Sequence, residues 1–297
     1  ASTWMGRGDE ESADQAALQA MSGALKVLSI DGTVRIGENN SNGGSQLIVG
    51  EKVGDGKGPV VDVALMPVEG PTIVAKGEPN GLSVIALAEG GKFLNVPDLY
   101  MEKIALGGGL PAGLVDLDNP PAENLKALSA AKGVPVSDLV VCILDRPRHG
   151  ELIARIREAG ARIMLIVDGD VSGVVATVWP KSGIDMYCGI GGAPQGVLSA
   201  AALACVGGQM QGRLVVRDNA DKIMAADAGI SDPAQKFNIS DMASGDVTFA
   251  ATGVTSGALL KGVYKVGAIA VTQSLVVRSK TGTLRYVDGY HKFGRSG

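Results

Sequence analysis

Residues 139–167 read LVVCILDRPRHGELIARIREAGARIMLIV, and their rhythm decides the fold class. Residues 139–144 are a short, unbroken apolar run of the kind a buried strand requires. Residues 150–159 carry the mixed apolar and charged pattern of a helix, and residues 162–167 return to an apolar strand. A second helix is expected over 195–207, opened by Gly191, Gly192, Ala193 and Pro194. Strands that alternate with helices predict a layered α/β architecture with crossover connections.

Outward from that stretch the pattern is more mixed. Residues 10–28 read as a helix capped by Ser12, with Ala17, Leu18, Met21, Leu25 and Val27 as its apolar face. Residues 33–37 and 60–65 are strand candidates, separated by a polar, glycine-rich loop at 38–46. Residues 82–88 and 92–94 resemble a hairpin around 89–91. The segment 114–123 (LVDLDNPPAE) has the composition of a linker and divides 1–118 from 119–297, unless the halves form one continuous sandwich. Residues 215–245 are polar and loosely patterned, whereas 246–290 return to strand-like runs, including 247–251 and 274–277.

Composition excludes several functions. Lys and Arg number 27 against 31 Asp and Glu, a net charge of −4 without a basic block, so phosphate backbones of nucleic acids are poor partners. The longest apolar runs are too short to span a bilayer, and no charged-then-apolar leader opens the chain, so a cytoplasmic location is expected. The abrupt start at Ala1 suggests a missing upstream segment. Cys142, Cys188 and Cys205 are an odd count in apolar surroundings, which reads as buried thiols in a reducing compartment. With only two histidines, His149 and His291, zinc chemistry based on imidazole is disfavoured.

Carboxylates remain as the abundant reactive groups: Asp14, Glu38, Asp62, Glu69, Asp168 and Asp170. Oxygen ligands suit Mg²⁺ or Mn²⁺, which can clamp a phosphoryl group and generate hydroxide, although a carboxylate beside glycine is commonly a turn residue. Longer segments decide between these readings. WMGRGDEESAD (4–14), IGE (36–38) with GEKVG (50–54), PVEG (67–70), DLYMEK (98–103), DRPRH (145–149), DGDV (168–171) and GIGGAPQG (189–196) occur in that order. Together they resemble the class II fructose-1,6-bisphosphatases, including the dual fructose-1,6-/sedoheptulose-1,7-bisphosphatases, from Trp4 to about Tyr290. The resemblance implies an α/β/α/β/α sandwich of the lithium-sensitive, metal-dependent phosphatase superfamily and assembly as a homodimer or homotetramer.

Carried over residue by residue, the resemblance assigns metal ligands to Asp14, Glu38 and Glu69, with Gln195 as a weak fourth. It places Gly70, Tyr100, Lys103, Arg146 and Arg148 around the sugar phosphate, and Asp168 and Asp170 on sugar hydroxyls. Arginine suits that task because its planar fork pairs with phosphate oxygens. Gly192 and Ala193, leading into a helix, would present backbone N–H groups to an anion. His149 reads as a structural hydrogen-bonding residue.

The chain departs from the family pattern at three reactive positions. In the signature D-P-x-E-G-T the first acid falls on Met66 and the threonine on Pro71, and in G-G-A-P-E-G the acid falls on Gln195. A thioether is a poor ligand for a hard cation, proline has no hydroxyl to orient water, and glutamine brings no charge. The usually acidic loop after Glu38 is the polar segment 39–45. The resemblance therefore implies Mg²⁺- or Mn²⁺-dependent hydrolysis of the 1-phosphate of fructose 1,6-bisphosphate, with sedoheptulose 1,7-bisphosphate as a second candidate substrate, in gluconeogenesis or the reductive pentose phosphate cycle. Met66, Pro71 and Gln195 predict impaired turnover. The alternative is a weak or inactive sugar-phosphate-binding paralogue, or a disabled variant; an inositol-phosphate phosphatase is disfavoured by DRPRH and DGDV.

Overall fold

A computed structural model describes residues 1–38 and 46–292. The chain forms two units, one of Ala1–Lys92 with Gly245–Gly297 and one of Phe93–Ser244. The division expected at 118/119 falls inside the second unit. There Asp118 pairs with Arg213 at 2.5 Å and with Lys236 at 2.7 Å, so a segment with linker composition is tied down by its own carboxylates.

In the first unit, helix α1 (Glu10–Leu25) is capped by Asp9, which accepts from the Ser12 N–H at 2.9 Å; Ser12 is the donor, not the cap. The sheet runs β12 (Tyr264–Val266), β13 (Ile269–Arg278), β11 (Thr248–Gly253), β4 (Leu82–Glu89), β3 (Val60–Glu69), β1 (Asp31–Ile36), β2 (Lys52–Val53), with β14 (Thr283–Lys292) paired to β13. Only β1 and β3 are parallel among these pairs; the rest are antiparallel. Leu18 and Leu25 of α1 pack with Val34, Val63 and Leu65 of the sheet. Ala13 and Ala17 pack with Val68 and with Val74 of α2 (Pro71–Lys76). The hairpin expected around 89–91 does not form. β4 pairs with β3 and β11 instead, and Phe93 starts the second unit by bridging to Ala243.

The second unit carries the α/β layering read from residues 139–167. Its sheet runs β10 (Phe237–Asn238), β9 (Gln209–Val215), β5 (Tyr100–Leu106), β8 (Met186–Gly192), β6 (Val140–Leu144), β7 (Arg162–Ile166). β6, β7 and β8 are parallel, while β5 is antiparallel to β8 and β9. On one face Ile104, Leu106, Val141, Ile143 and Met186 join Leu125 and Leu128 of α3 (Pro121–Lys132) and Ile156 of α4 (Gly150–Glu158) in a buried cluster. The other face meets α5 (Asp170–Ala176) and α6 (Ala193–Val206), where Gly196 packs against Met101 and Gly173 against Cys142 and Tyr187. The polar segment 215–245 holds α7 (Asn219–Asp227) and α8 (Ile239–Met242) beside β10.

All three cysteines are buried free thiols, and burial pushes Cys142 and Cys188 up to about 12, far from the thiolate form at neutral pH. Among the described residues no helix is long and apolar enough to cross a membrane. The packing makes a direct claim about where stability resides. Leu125→Ala, at 0% exposure, should cost about 2–5 kcal/mol in urea unfolding. Leu165→Ala, 39% exposed on the outermost strand, should cost about 1.5 kcal/mol or less. Equal losses would show that the α3/α4 cluster is not the core of this unit.

Candidate active site

The carboxylates of the first unit lie on three elements. Asp14 projects from α1 one residue past buried Ala13 and is half-buried, which raises its pKa. Glu38 follows β1, its N–H donating to the Leu47 carbonyl at 2.9 Å. Gly37 permits that approach, because a Cβ there would collide with the same carbonyl. Burial first, and the neighbouring Asp14 charge second, push Glu38 up from 4.5 to about 7. Glu69 ends β3 at 3% exposure, after an irregularity in the β3–β4 register between Met66 and Glu69. Such a bulge re-aims the side chains it carries. Gly70 then leads into α2, whose first turn accommodates Pro71 because that position needs no N–H donor.

Asp14 and Glu38 therefore come close enough to oppose one another electrostatically, while Glu69 does not complete a cage with them. Among the described residues no three His, Cys, Asp or Glu side chains converge as metal ligands. Two carboxylates fit Mg²⁺, which keeps several waters and often takes only one or two protein oxygens. The loop at 39–45 lies outside the described residues.

Of the residues expected around a sugar phosphate, Tyr100, Arg146, Arg148, Asp168 and Gly192 lie at the carboxyl end of the second sheet, the usual ligand position in open α/β folds, whereas Gly70 lies in the first unit. Arg146 and Arg148 follow β6, Asp168 follows β7, Gly192 ends β8, and Tyr100 begins antiparallel β5 opposite Gly192. The Arg148 guanidinium lies 4.7 Å from the Tyr100 ring centroid and donates to the Ile190 carbonyl through Nε at 3.0 Å and Nη2 at 2.8 Å. His149, 1% exposed, accepts from the Ile190 N–H through Nε2 at 2.8 Å and holds the Leu144 carbonyl through Nδ1 at 2.7 Å. Those two partners require the neutral tautomer protonated on Nδ1. Burial and the adjacent Arg148 and Arg146 charges lower the His149 pKa accordingly. A cleft of about 510 Å³ opens beside Arg148, His149 and Ile190 and runs past Glu102, Ile104 and Met186.

Three expectations change in this setting. Lys103 does not face solvent: its side chain is 0% exposed, and its ammonium pairs with Asp170 and donates to the Gly192 carbonyl at 2.9 Å. Asp170 is committed to that pair as well, so both position the site. The Ala193 N–H donates to the Leu99 carbonyl at 2.8 Å and is not offered to an anion. The glycines read as opening the helix, Gly191 and Gly192, close strand β8, and Gly191 is required because a Cβ would collide with Asp170 and come within 2.9 Å of Lys103 Nζ. Gln195 opens α6 with its side-chain oxygen against Gly192. Ile190, whose carbonyl fixes Arg148, was missed; the apolar positions Met186, Cys188 and Ile190 at period two were the signal for a strand there.

Residues 1–291 match the family model described as bacterial fructose-1,6-bisphosphatase, glpX-encoded. The chain belongs to the class II fructose-1,6-bisphosphatase family. It is 42% identical over 310 aligned positions to fructose-1,6-bisphosphatase 1 class 2 of Escherichia coli K12, covering 98% of this chain and 90% of that protein. The same figures hold for fructose-1,6-bisphosphatase class 2 of Shigella flexneri. Within this class II chain the carboxylate pair gives the sharpest electrostatic signature. In metal-free protein Asp14→Asn should move the Glu38 titration part of the way from about 7 toward 4.5, followed by carboxyl NMR; burial, the larger cause, should retain the remainder. Because folding raises the proton affinity of Glu38, its contribution should weaken stability as pH climbs from 4.5 to about 7 and stay level above. An unchanged Glu38 titration in Asp14→Asn would separate the two carboxylates.

Proposed function

We propose that this chain binds sugar bisphosphates and hydrolyses the 1-phosphate of fructose 1,6-bisphosphate, releasing inorganic phosphate and fructose 6-phosphate. Its turnover is reduced by Met66, Pro71 and Gln195. The observation that carries the reading is the carboxyl end of the second sheet, where Arg148 is held on Ile190 and over Tyr100 in a chain that matches the family along its length. A guanidinium fixed in this way meets a phosphate without losing much side-chain entropy. Sedoheptulose 1,7-bisphosphate is the seven-carbon candidate, and the cytoplasm the compartment that such metabolism implies.

Asp14 and Glu38 would hold Mg²⁺ or Mn²⁺, with Glu69 close to the same strand end as the position that carries Met66. A divalent ion bound there would supply positive charge and a more acidic water. The chain's own groups do the rest. Arg148 and Arg146 bind the anionic sugar, Asp168 accepts from its hydroxyls, and Lys103 with Asp170 keeps Gly192 in place. Met66 adds no negative charge to the cation site, and Pro71 has no hydroxyl to orient the attacking water. Those losses favour one weakly held ion over a tight cluster. The rival reading, a sugar-phosphate-binding protein without chemistry, rests on the same three residues and differs only in turnover.

Phosphate release with Mn²⁺ distinguishes them. The chain should hydrolyse fructose 1,6-bisphosphate slowly, and Met66→Asp, Pro71→Thr and Gln195→Glu together should raise the rate by about 10²-fold or more. Either of the first two changes alone should recover little, because the groups act as a unit. Brisk turnover by the unmodified chain would contradict the impairment. No gain in a triple variant that still binds fructose 6-phosphate would place the defect outside these positions.

A further inference from the structure

Strand β9 adds a cation to the carboxyl end of the second sheet that none of the motifs above contains. Val215, its last residue, lies opposite Tyr100, and two residues earlier Arg213 lies opposite Glu102 and pairs with it at 2.7 Å. Side chains alternate along a strand, so Arg213 and Val215 point to the face that carries Glu102 and Tyr100. Arg217 follows at the same period, just beyond the end of the ladder. Arg213 has both of its terminal nitrogens on carboxylates, Glu102 and Asp118, whereas Arg217 has a single carboxylate partner, Asp221, and is the less committed guanidinium of this segment at the sheet end.

Arg217 is held from behind. Its backbone N–H and its Nε both donate to Asp221 Oδ2 at 2.9 Å, and its Nη2 donates to Asp221 Oδ1 at 3.2 Å. Asp221 is 3% exposed and is itself fixed by its N–H to Asp218 Oδ1 at 3.0 Å. The Arg217 side chain is 61% exposed, and the pairing leaves Nη1 uncommitted to the carboxylate. The Tyr100 side chain lies within electrostatic reach of Arg217. Tyr100 thus has Arg148 over its ring and Arg217 beyond its partner on β9. A guanidinium anchored through one edge and exposed at the other is suited to a phosphate oxygen.

We propose that Arg217 is a further phosphate-binding residue, taking the phosphate that the sugar retains, with Asp221 as its positioning residue. The inference rests on the sugar-bisphosphate reading above. A fructose 6-phosphate molecule brings that retained phosphate, whereas fructose 1-phosphate does not.

Calorimetric titration of fructose 6-phosphate and fructose 1-phosphate into the full chain, Arg217→Gln and Arg217→Lys provides the test. Arg217→Gln should weaken fructose 6-phosphate binding about tenfold or more and lower the preference for it over fructose 1-phosphate. Arg217→Lys, which keeps a cation beside Asp221, should recover most of the loss. If Arg217 only anchors the start of α7, Arg217→Gln will weaken both sugars equally, and the proposal fails. It fails too if fructose 6-phosphate affinity is unchanged. If the unsubstituted chain binds neither sugar phosphate, the sugar-bisphosphate reading is overturned, and Arg217 loses its role with it.

Discussion

An ammonium with no access to water can persist only beside an opposite charge, and Lys103 meets that constraint by pairing with Asp170 and the Gly192 carbonyl. The consequences spread through the second unit. Lys103 lies in the middle of β5, Asp170 opens α5, and Gly192 closes β8, so one buried cation ties three elements at the end of the sheet where the site lies. Gly191 has to be glycine because the pair occupies the space a Cβ would need. The lysine that resemblance places on a phosphate is instead buried in the frame that carries Tyr100 and Gly192.

His149 works at the same strand end. By accepting from Ile190 N–H and holding the Leu144 carbonyl, it links β6 to β8, and Arg148 takes the adjacent Ile190 carbonyl. Two buried polar side chains, one charged and one neutral, thereby fix the backbone to which the exposed arginine is docked. The carboxylates of the first unit have the contrasting property: burial and the Asp14 charge raise Glu38 to about 7, so that it keeps a proton a cation would displace. The docked arginine, and a carboxylate pair that no third ligand joins among the described residues, are the observations behind the proposed reading of binding with reduced turnover.

Local pattern gave the strongest elements of the fold directly. β6, α4 and β7 sit within about a residue of the limits read from 139–167, because apolar runs and helical amphipathicity need no tertiary information. β5 and β8 were hidden for different reasons. Tyr100–Leu106 carries the buried Lys103 at a core position, and Met186–Gly192 ends in glycines that resemble a turn. The unit boundary at 92/93 was not legible, since Lys92 and Phe93 carry no linker composition, whereas 114–123 does and is stapled by Asp116 and Asp118 to Lys236. At the site, the arginine positions were readable as motifs. The commitment of Lys103, Asp170 and the Ala193 N–H was not, because each partner is remote in sequence: Lys103 lies 67 residues from Asp170.

The dependence of the second unit on its buried pair is measurable by a double-mutant cycle in urea unfolding. Lys103→Met and Asp170→Asn, made singly, should each cost about 3–5 kcal/mol, since each leaves one buried charge without its counter-ion. The double variant should cost several kcal/mol less than their sum, because both charges are then absent. Additive losses within about 0.5 kcal/mol would contradict the account and would mean that Lys103 and Asp170 are stabilised independently of one another.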